Sequence, residues 1–296
     1  MTSSTLFSVG GIYLSLVGGI GLLCRGALQR KMPYGAFAFL TIVVMIVNLQ
    51  YGLVGDAPKQ IAWFTAIYDF PLNLGLSAMS AEDLNGVQPC ASVEGRVDTC
   101  SELDWFSYHP NWAVDFYKRF KHGPESLRVQ LYVHIWFSTF ALVLSFIQFH
   151  QPTRRAYPTL HRWSGYAVTM CTLIGLGQAQ KLGLDSADIP SYGANFAVYG
   201  WCAMVIQTIA PLLIGVYYAI QKDIKTHQRW MARYYGAMWG SFLAFRVVML
   251  VAAVGLRHTL SGQALIAIYT GTPLGILAAE VCMIRALVRA SSSKAK

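Results

Sequence analysis

The chain has 296 residues, 55% of them hydrophobic and only 12% charged, with mean hydropathy +0.43; that balance excludes an ordinary soluble domain and predicts a polytopic membrane protein. The formal net charge of +9 could suit nucleic acid, but the basic residues flank apolar runs, where the anionic headgroups of a lipid bilayer are the simpler partner, so nucleic-acid binding is not expected. Hydrolase, kinase and ATPase chemistry has no support either: the sequence shows no nucleophile motif, no His-Glu-x-x-His, no phosphate-cradling glycine loop and no paired carboxylates within one run.

Apolar runs of about 20 residues, enough to cross roughly 30 Å of hydrocarbon as helix, fall near 5–24, 36–55, 128–149, 161–183, 194–220, 230–255 and 263–289. They predict an all-α bundle of about seven transmembrane helices. Barrel strands would alternate apolar and polar residues, whereas these runs are continuous. Residues 1–55 contain the first two helices. Residues 1–5 carry no basic side chain and no clear cleavage site follows, so the first run is expected to remain as a span.

The only sizeable segment outside the membrane is 56–127, expected as an outer loop. Its flanks are crowded with rings, among them Trp63, Tyr68, Trp105, Trp112 and Tyr117. Such rings favour the headgroup zone, where they either lie on the surface or roof a cavity. Cys90 and Cys100 sit in this loop. In an oxidising compartment that spacing allows a disulfide, worth about 2–4 kcal/mol; two unrelated thiols are the alternative. No set of zinc ligands accompanies them, and no metal site is expected.

Residues 128–289 form a five-helix core that reads as two similar hairpins, followed by a basic tail at 290–296. In each hairpin a basic loop leads into histidine, arginine and tryptophan: His161-Arg162-Trp163 in one, His227-Gln228-Arg229-Trp230 in the other. Arg25, Arg30, Lys31, Arg154, Arg155, Lys222, Lys225, Arg285 and Lys294 mark one side of the membrane. Acids such as Asp56, Glu82, Glu94, Asp104 and Asp185 mark the other. Because Lys and Arg stay cytoplasmic in short loops, the N-terminus is expected outside and the C-terminus inside. A plasma membrane or secretory-pathway membrane follows. Gly165, Gly175, Gly177, Gly200, Gly236 and Gly240 are expected to let helices pack closely.

Polar residues inside the runs are the candidates for function. At the basic end, His161 and His227 should share one depth, accompanied by Arg162, Arg229 and Arg233. Glu280 also lies in apolar sequence and needs a partner, for which Arg233, Arg285 or a histidine would serve. Toward the other face, His134 and Arg246 should lie at comparable depth, counting 1.5 Å of rise per residue. Arg246 cannot readily snorkel to water, so it calls for a substrate anion, a haem propionate, or an acceptor such as Gln178 or Gln180.

The sequence from Val133-His134 through His161-Arg162-Trp163-Ser164-Gly165 to His227-Gln228-Arg229-Trp230-Met231-Ala232-Arg233, with Arg246 downstream, resembles the membrane family called domain of unknown function 2306 over about residues 105–285. That resemblance implies a multi-helix membrane fold and emphasises these residues without naming a reaction. A looser similarity is to cytochrome b561-type proteins, which hold two b-type haems with histidines on four neighbouring helices; here only the third span has two histidines, His134 and His150, and the outer layer lacks an evident second ligand.

Three readings follow. One is an intramembrane enzyme or carrier for a lipid-like or isoprenoid compound, with His134 as acid or base and Arg246 holding an anionic group. Another is a b-type haem protein with His161 and His227 as axial ligands and Arg162 or Arg233 on the propionates. The third is a non-catalytic assembly or regulatory subunit, in which the His-Arg-Trp elements are anchors and clamps.

Overall fold

The computed structural model describes residues 123–187, 194–255 and 260–281, the short stretches 87–89, 108–110 and 119–120, and residues 35, 38, 39, 41, 42 and 45. The expected N-terminal spans therefore lie almost wholly outside the described residues. So do Cys90, Cys100, Arg285 and the basic tail.

What is described is predominantly helical. One departure from the all-α expectation is a short antiparallel pair in the loop before the core: β1 (Val87–Pro89) against β2 (Tyr108–Pro110), with Gln88 opposite His109. Three residues per strand, each closed by proline, limit the pair, since proline donates nothing to a ladder.

Seven helices follow among the described residues: α1 (Glu125–Phe149), α2 (Gln151–Ala156), α3 (Pro158–Leu184), α4 (Ala194–Ile220), α5 (Ile224–Trp239), α6 (Phe245–Gly255) and α7 (Leu260–Ala279). A π turn at Gly240–Ala244 joins α5 to α6, so 224–255 is one rod with a local change of register. Among the described residues two helical segments, Glu125–Phe149 and Asn195–Ile220, are long and apolar enough to cross a membrane, and Leu265–Ala279 is a shorter apolar one.

Local chemistry sets the boundaries. Pro158 opens α3, where its missing N–H costs nothing. Lys222, at φ 60°, ends α4 in the left-handed region, and Asp223 restarts the chain by accepting from the Thr226 N–H at 3.1 Å. Hydrogen bonds from the Thr226 hydroxyl and backbone hold the Asp223 carboxyl below the usual carboxylate range. The expected loop before His227 thus shrinks to a tight turn, and both rim histidines fall in the first turn of a helix.

α1 packs most extensively on α3, and α4 on α5, with α7 lying across α4, α5 and α6. Leu142, Val168, Leu212, Tyr234 and Met238 form the shared core. The outside is apolar as well. Trp163, Phe196, Ile206 and Ile220 are each more than 60% exposed, an arrangement suited to hydrocarbon and costly in water.

One close crossing joins two glycine pairs. A Cβ added to Gly236 would meet the Gly275 carbonyl at 2.5 Å, and one added to Gly240 would meet the Gly271 carbonyl at 2.5 Å. Gly236 and Gly240 were expected as packing positions; their partners Gly271 and Gly275 complete the contact. Close approach of α5 and α7 brings Arg233 to Glu280, Nε to Oε1 at 2.5 Å.

Candidate functional site

His134 projects from the middle of α1 toward α3. Its Nδ1 lies 2.9 Å from the Gly175 carbonyl oxygen and 3.3 Å from Ser138 Oγ. A carbonyl can only accept, so Nδ1 carries the hydrogen and the neutral ring keeps its lone pair on Nε2. Gly175 makes this contact possible: a Cβ there would fall 2.7 Å from Ser138 Oγ and 2.9 Å from its backbone nitrogen.

Arg246 opens α6 and lies within electrostatic range of His134. Its Nη1 donates to the carbonyl of Phe242, inside the π turn, and the guanidinium stands 5.8 Å from the Phe242 ring centroid. A π turn shifts carbonyls out of their usual i−4 pairing and thereby offers acceptors to a side chain. Gln180, expected as a possible partner of Arg246, donates instead to Cys202 Sγ at 3.0 Å.

About 21 Å away, measured as helix rise from Gly175 back to His161, lies the second group. His227 Nδ1 donates to the Gly215 carbonyl at 2.8 Å, the same tautomer as His134. His161 lies within electrostatic range of both His227 and Arg154. His161 Nδ1 is buried and has no hydrogen-bond partner among the described residues. Nε2 of His227, together with the His161 ring, could hold a metal-centred cofactor, for which a second hydrogen bond fixing the ligand tautomer is the usual support.

The arginines divide. Arg162 is exposed. Arg233 is paired with Glu280, and its guanidinium lies 4.4 Å from the Trp230 ring centroid. That pairing answers the expectation for Glu280 and makes Arg233 a clamp between α5 and α7. Among the described residues no group of three or more His, Cys, Asp or Glu could hold a metal ion.

Between the two histidine sites is a buried set of polar side chains that the sequence reading passed over. Ser145 Oγ and Thr172 Oγ1 lie 3.5 and 2.5 Å from the Tyr234 hydroxyl. Gln148 donates to the His161 carbonyl at 3.0 Å and also to Ser164 Oγ. The signal was available as spacing: His134, Ser138, Ser145 and Gln148 recur at intervals of four, seven and three, a single helix face.

A family profile described as "Predicted membrane protein (DUF2306)" matches residues 131–282, slightly more than half of the chain, and the protein belongs to that family. No curated protein and no solved structure matches it. The matched span begins just before His134, ends just after Glu280, and contains both histidine groups and Arg246.

Proposed function

We propose that this protein is a multi-pass membrane enzyme or carrier that binds a small lipophilic molecule through an anionic or strongly accepting group, held between His134 and Arg246. The observation that carries this reading is the bond from His134 Nδ1 to the Gly175 carbonyl. It assigns the hydrogen to Nδ1 and leaves the lone pair on Nε2, the nitrogen that can take a proton from a ligand or accept a hydrogen bond from it. Arg246, in electrostatic range, supplies donors and positive charge that apolar surroundings would strengthen. Seven spans, an outer N-terminus, a Cys90–Cys100 disulfide in the outer loop and a plasma or secretory-pathway membrane belong to the same proposal, supported by the apolar runs, the placement of Lys and Arg, and the cysteine spacing of the sequence.

Laurate, an amphiphilic carboxylate, serves as the probe. Binding to detergent-purified full-length protein is measured by native mass spectrometry or calorimetry, with dodecanol as the uncharged control. Losing a charge-assisted contact worth about 1.5–3 kcal/mol should weaken laurate binding by roughly 10- to 100-fold in Arg246→Gln. Equal laurate affinity in wild type and Arg246→Gln, both folded, would overturn the reading.

A second reading is favoured by the rim. The fixed tautomer of His227 and the nearness of His161 suit a b-type haem with paired imidazole ligands and Arg162 near a propionate. Protein from haem-replete cells would then show a Soret band that His227→Ala abolishes; a colourless preparation removes this reading. If both tests are negative, the non-catalytic assembly or regulatory role remains.

A further inference from the structure

The corner between α2 and α3 carries positive charge that its own helices do not neutralise. Arg154 and Arg155 stand in the last turn of α2, and Arg162 follows near the start of α3. Arg155 and Arg162 are exposed and Arg154 is partly buried. None of the three guanidinium groups has a hydrogen bond or ion pair among the described residues. Arg154 lies within electrostatic range of His161, the neighbour of Arg162, which ties the two helices into one basic corner. No Asp or Glu occurs between Glu125, at the far end of α1, and Asp185, beyond the far end of α3. The turn before α5 differs, since Asp223 there is within electrostatic range of Arg229. The α2–α3 corner is therefore complementary to an anion from outside the chain.

The second observation is the surface that leads away from this corner. Arg162, Tyr166 and Leu173 recur at intervals of four and seven, one face of α3, with Trp163 and Met170 beside them. Trp163 is 67% exposed, Tyr166 58%, Met170 57% and Leu173 37%. The Trp163 and Tyr166 rings meet edge to face with centroids 5.9 Å apart, so they form one patch. Ser164, Val168, Thr172 and Gly175, on the opposite face, are buried. From Arg162 to Leu173 the helix rises about 16 Å, roughly half the thickness of a bilayer's hydrocarbon core. Positive charge at the head of an apolar strip of that length matches a lipid in one leaflet.

We propose that α2 and α3 form a binding site for one anionic phospholipid. Arg154, Arg155 and Arg162 hold the phosphate, which a guanidinium meets with paired N–H donors, and an acyl chain lies along Trp163, Tyr166 and Met170. In a zwitterionic lipid the headgroup ammonium cancels the phosphate charge and is repelled by the arginines, so an anionic headgroup is preferred. A free phosphate ion satisfies the arginines and leaves the strip uncovered; a neutral lipid does the reverse. The site faces away from the helix core, apart from His134 and Arg246, and the haem reading shares only Arg162 with it.

Native mass spectrometry of full-length protein in detergent, titrated with dioleoyl phosphatidylglycerol and separately with dioleoyl phosphatidylcholine, gives the affinity of the first lipid bound. Phosphatidylglycerol should bind at least about tenfold more tightly. An arginine at an anionic headgroup is worth about fivefold in affinity, so Arg155→Gln/Arg162→Gln should weaken the first step roughly 25-fold. Either single variant should weaken it about fivefold, which keeps the test open if the double variant fails to fold. Lys225→Gln/Arg229→Gln removes two exposed charges from the same end of the bundle and should change the first step by less than about twofold.

Equal affinity for the two lipids, or an unchanged first step in the folded arginine variants, overturns the site. Equal losses in the two double variants also overturn it, by reducing the effect to general attraction toward a basic rim. Displacement of the bound lipid by excess inorganic phosphate overturns the assignment to a lipid. Laurate binding to Arg246→Gln decides the other proposal on its own.

Discussion

Replacing Gly275 with alanine should force α5 and α7 apart. The added Cβ would lie 2.5 Å from Gly240 Cα and 2.6 Å from Gly240 N, and still closer to the Gly236 carbonyl. All three are backbone atoms, so no rotamer change relieves the conflict. Restoring ordinary contact at 3.4 Å requires a local separation of about 1 Å, and overpacking of this kind costs about 1–3 kcal/mol. For a chain of this size that is a fall of roughly 2–10 °C in the unfolding midpoint. The Arg233–Glu280 bond, about one turn from the crossing, would be stretched as well. Gly177→Ala is the matched control: nothing lies within 4 Å of its added Cβ, and the exchange of glycine for alanine inside a helix gains up to about 1 kcal/mol. Thermal unfolding of the two variants in the same detergent should therefore move in opposite directions. Equal midpoints for Gly275→Ala and wild type would refute the claim that this crossing sets the helix spacing.

Thr272, fully buried beside the same crossing, has a hydroxyl with no partner among the described residues. Thr272→Val keeps the shape and removes that desolvated oxygen, so the variant should gain about 1 kcal/mol; a loss of stability by thermal unfolding would show that the hydroxyl has a hidden partner. At the start of α5, the Asp223 carboxyl has a depressed pKa in the folded protein. Its contribution is therefore fully present above the ordinary carboxylate range and disappears as the pH falls through the lower folded value. Asp223→Asn should flatten that acid limb in a stability-versus-pH series, and an identical acid limb in the variant would assign the dependence to other carboxylates.

Much of the helical core was legible because the sequence carries long, continuous apolar runs. The run expected at 194–220 coincides with α4, and that at 128–149 lies within α1. Proline and aspartate fixed starts that hydropathy placed too late: α3 begins at Pro158, which has no N–H to leave unsatisfied, and α5 at Ile224, behind the Asp223 cap. Imidazoles and guanidinia inside apolar runs were equally visible, because each is costly enough there to demand a reason. Serine, threonine and tyrosine are cheap individually, and nothing in the pattern of α1 alone shows that a hydroxyl from α5 completes its polar face. Gly271 and Gly275 were readable as a four-residue glycine repeat, but only the facing pair at Gly236 and Gly240 gives that repeat a partner.

The sequence reading offered Gln178 or Gln180 as acceptors for Arg246 without any sign of a break in the helix that carries it. A count at 3.6 residues per turn assumes one α-helical phase along the whole rod. The π turn at Gly240–Ala244 inserts about one extra residue into that count, and one residue corresponds to about 100° of rotation. Everything beyond it, Arg246 included, therefore presents a different face from the one an uninterrupted helix would. The same turn alters the carbonyl pairing at Phe242, to which Arg246 donates. A single departure from α register thus accounts both for where the guanidinium is and for what it binds. It also places that departure beside the close crossing at Gly240 and Gly271, so that the packing of α7 and the position of a charge within electrostatic range of His134 depend on the same five residues.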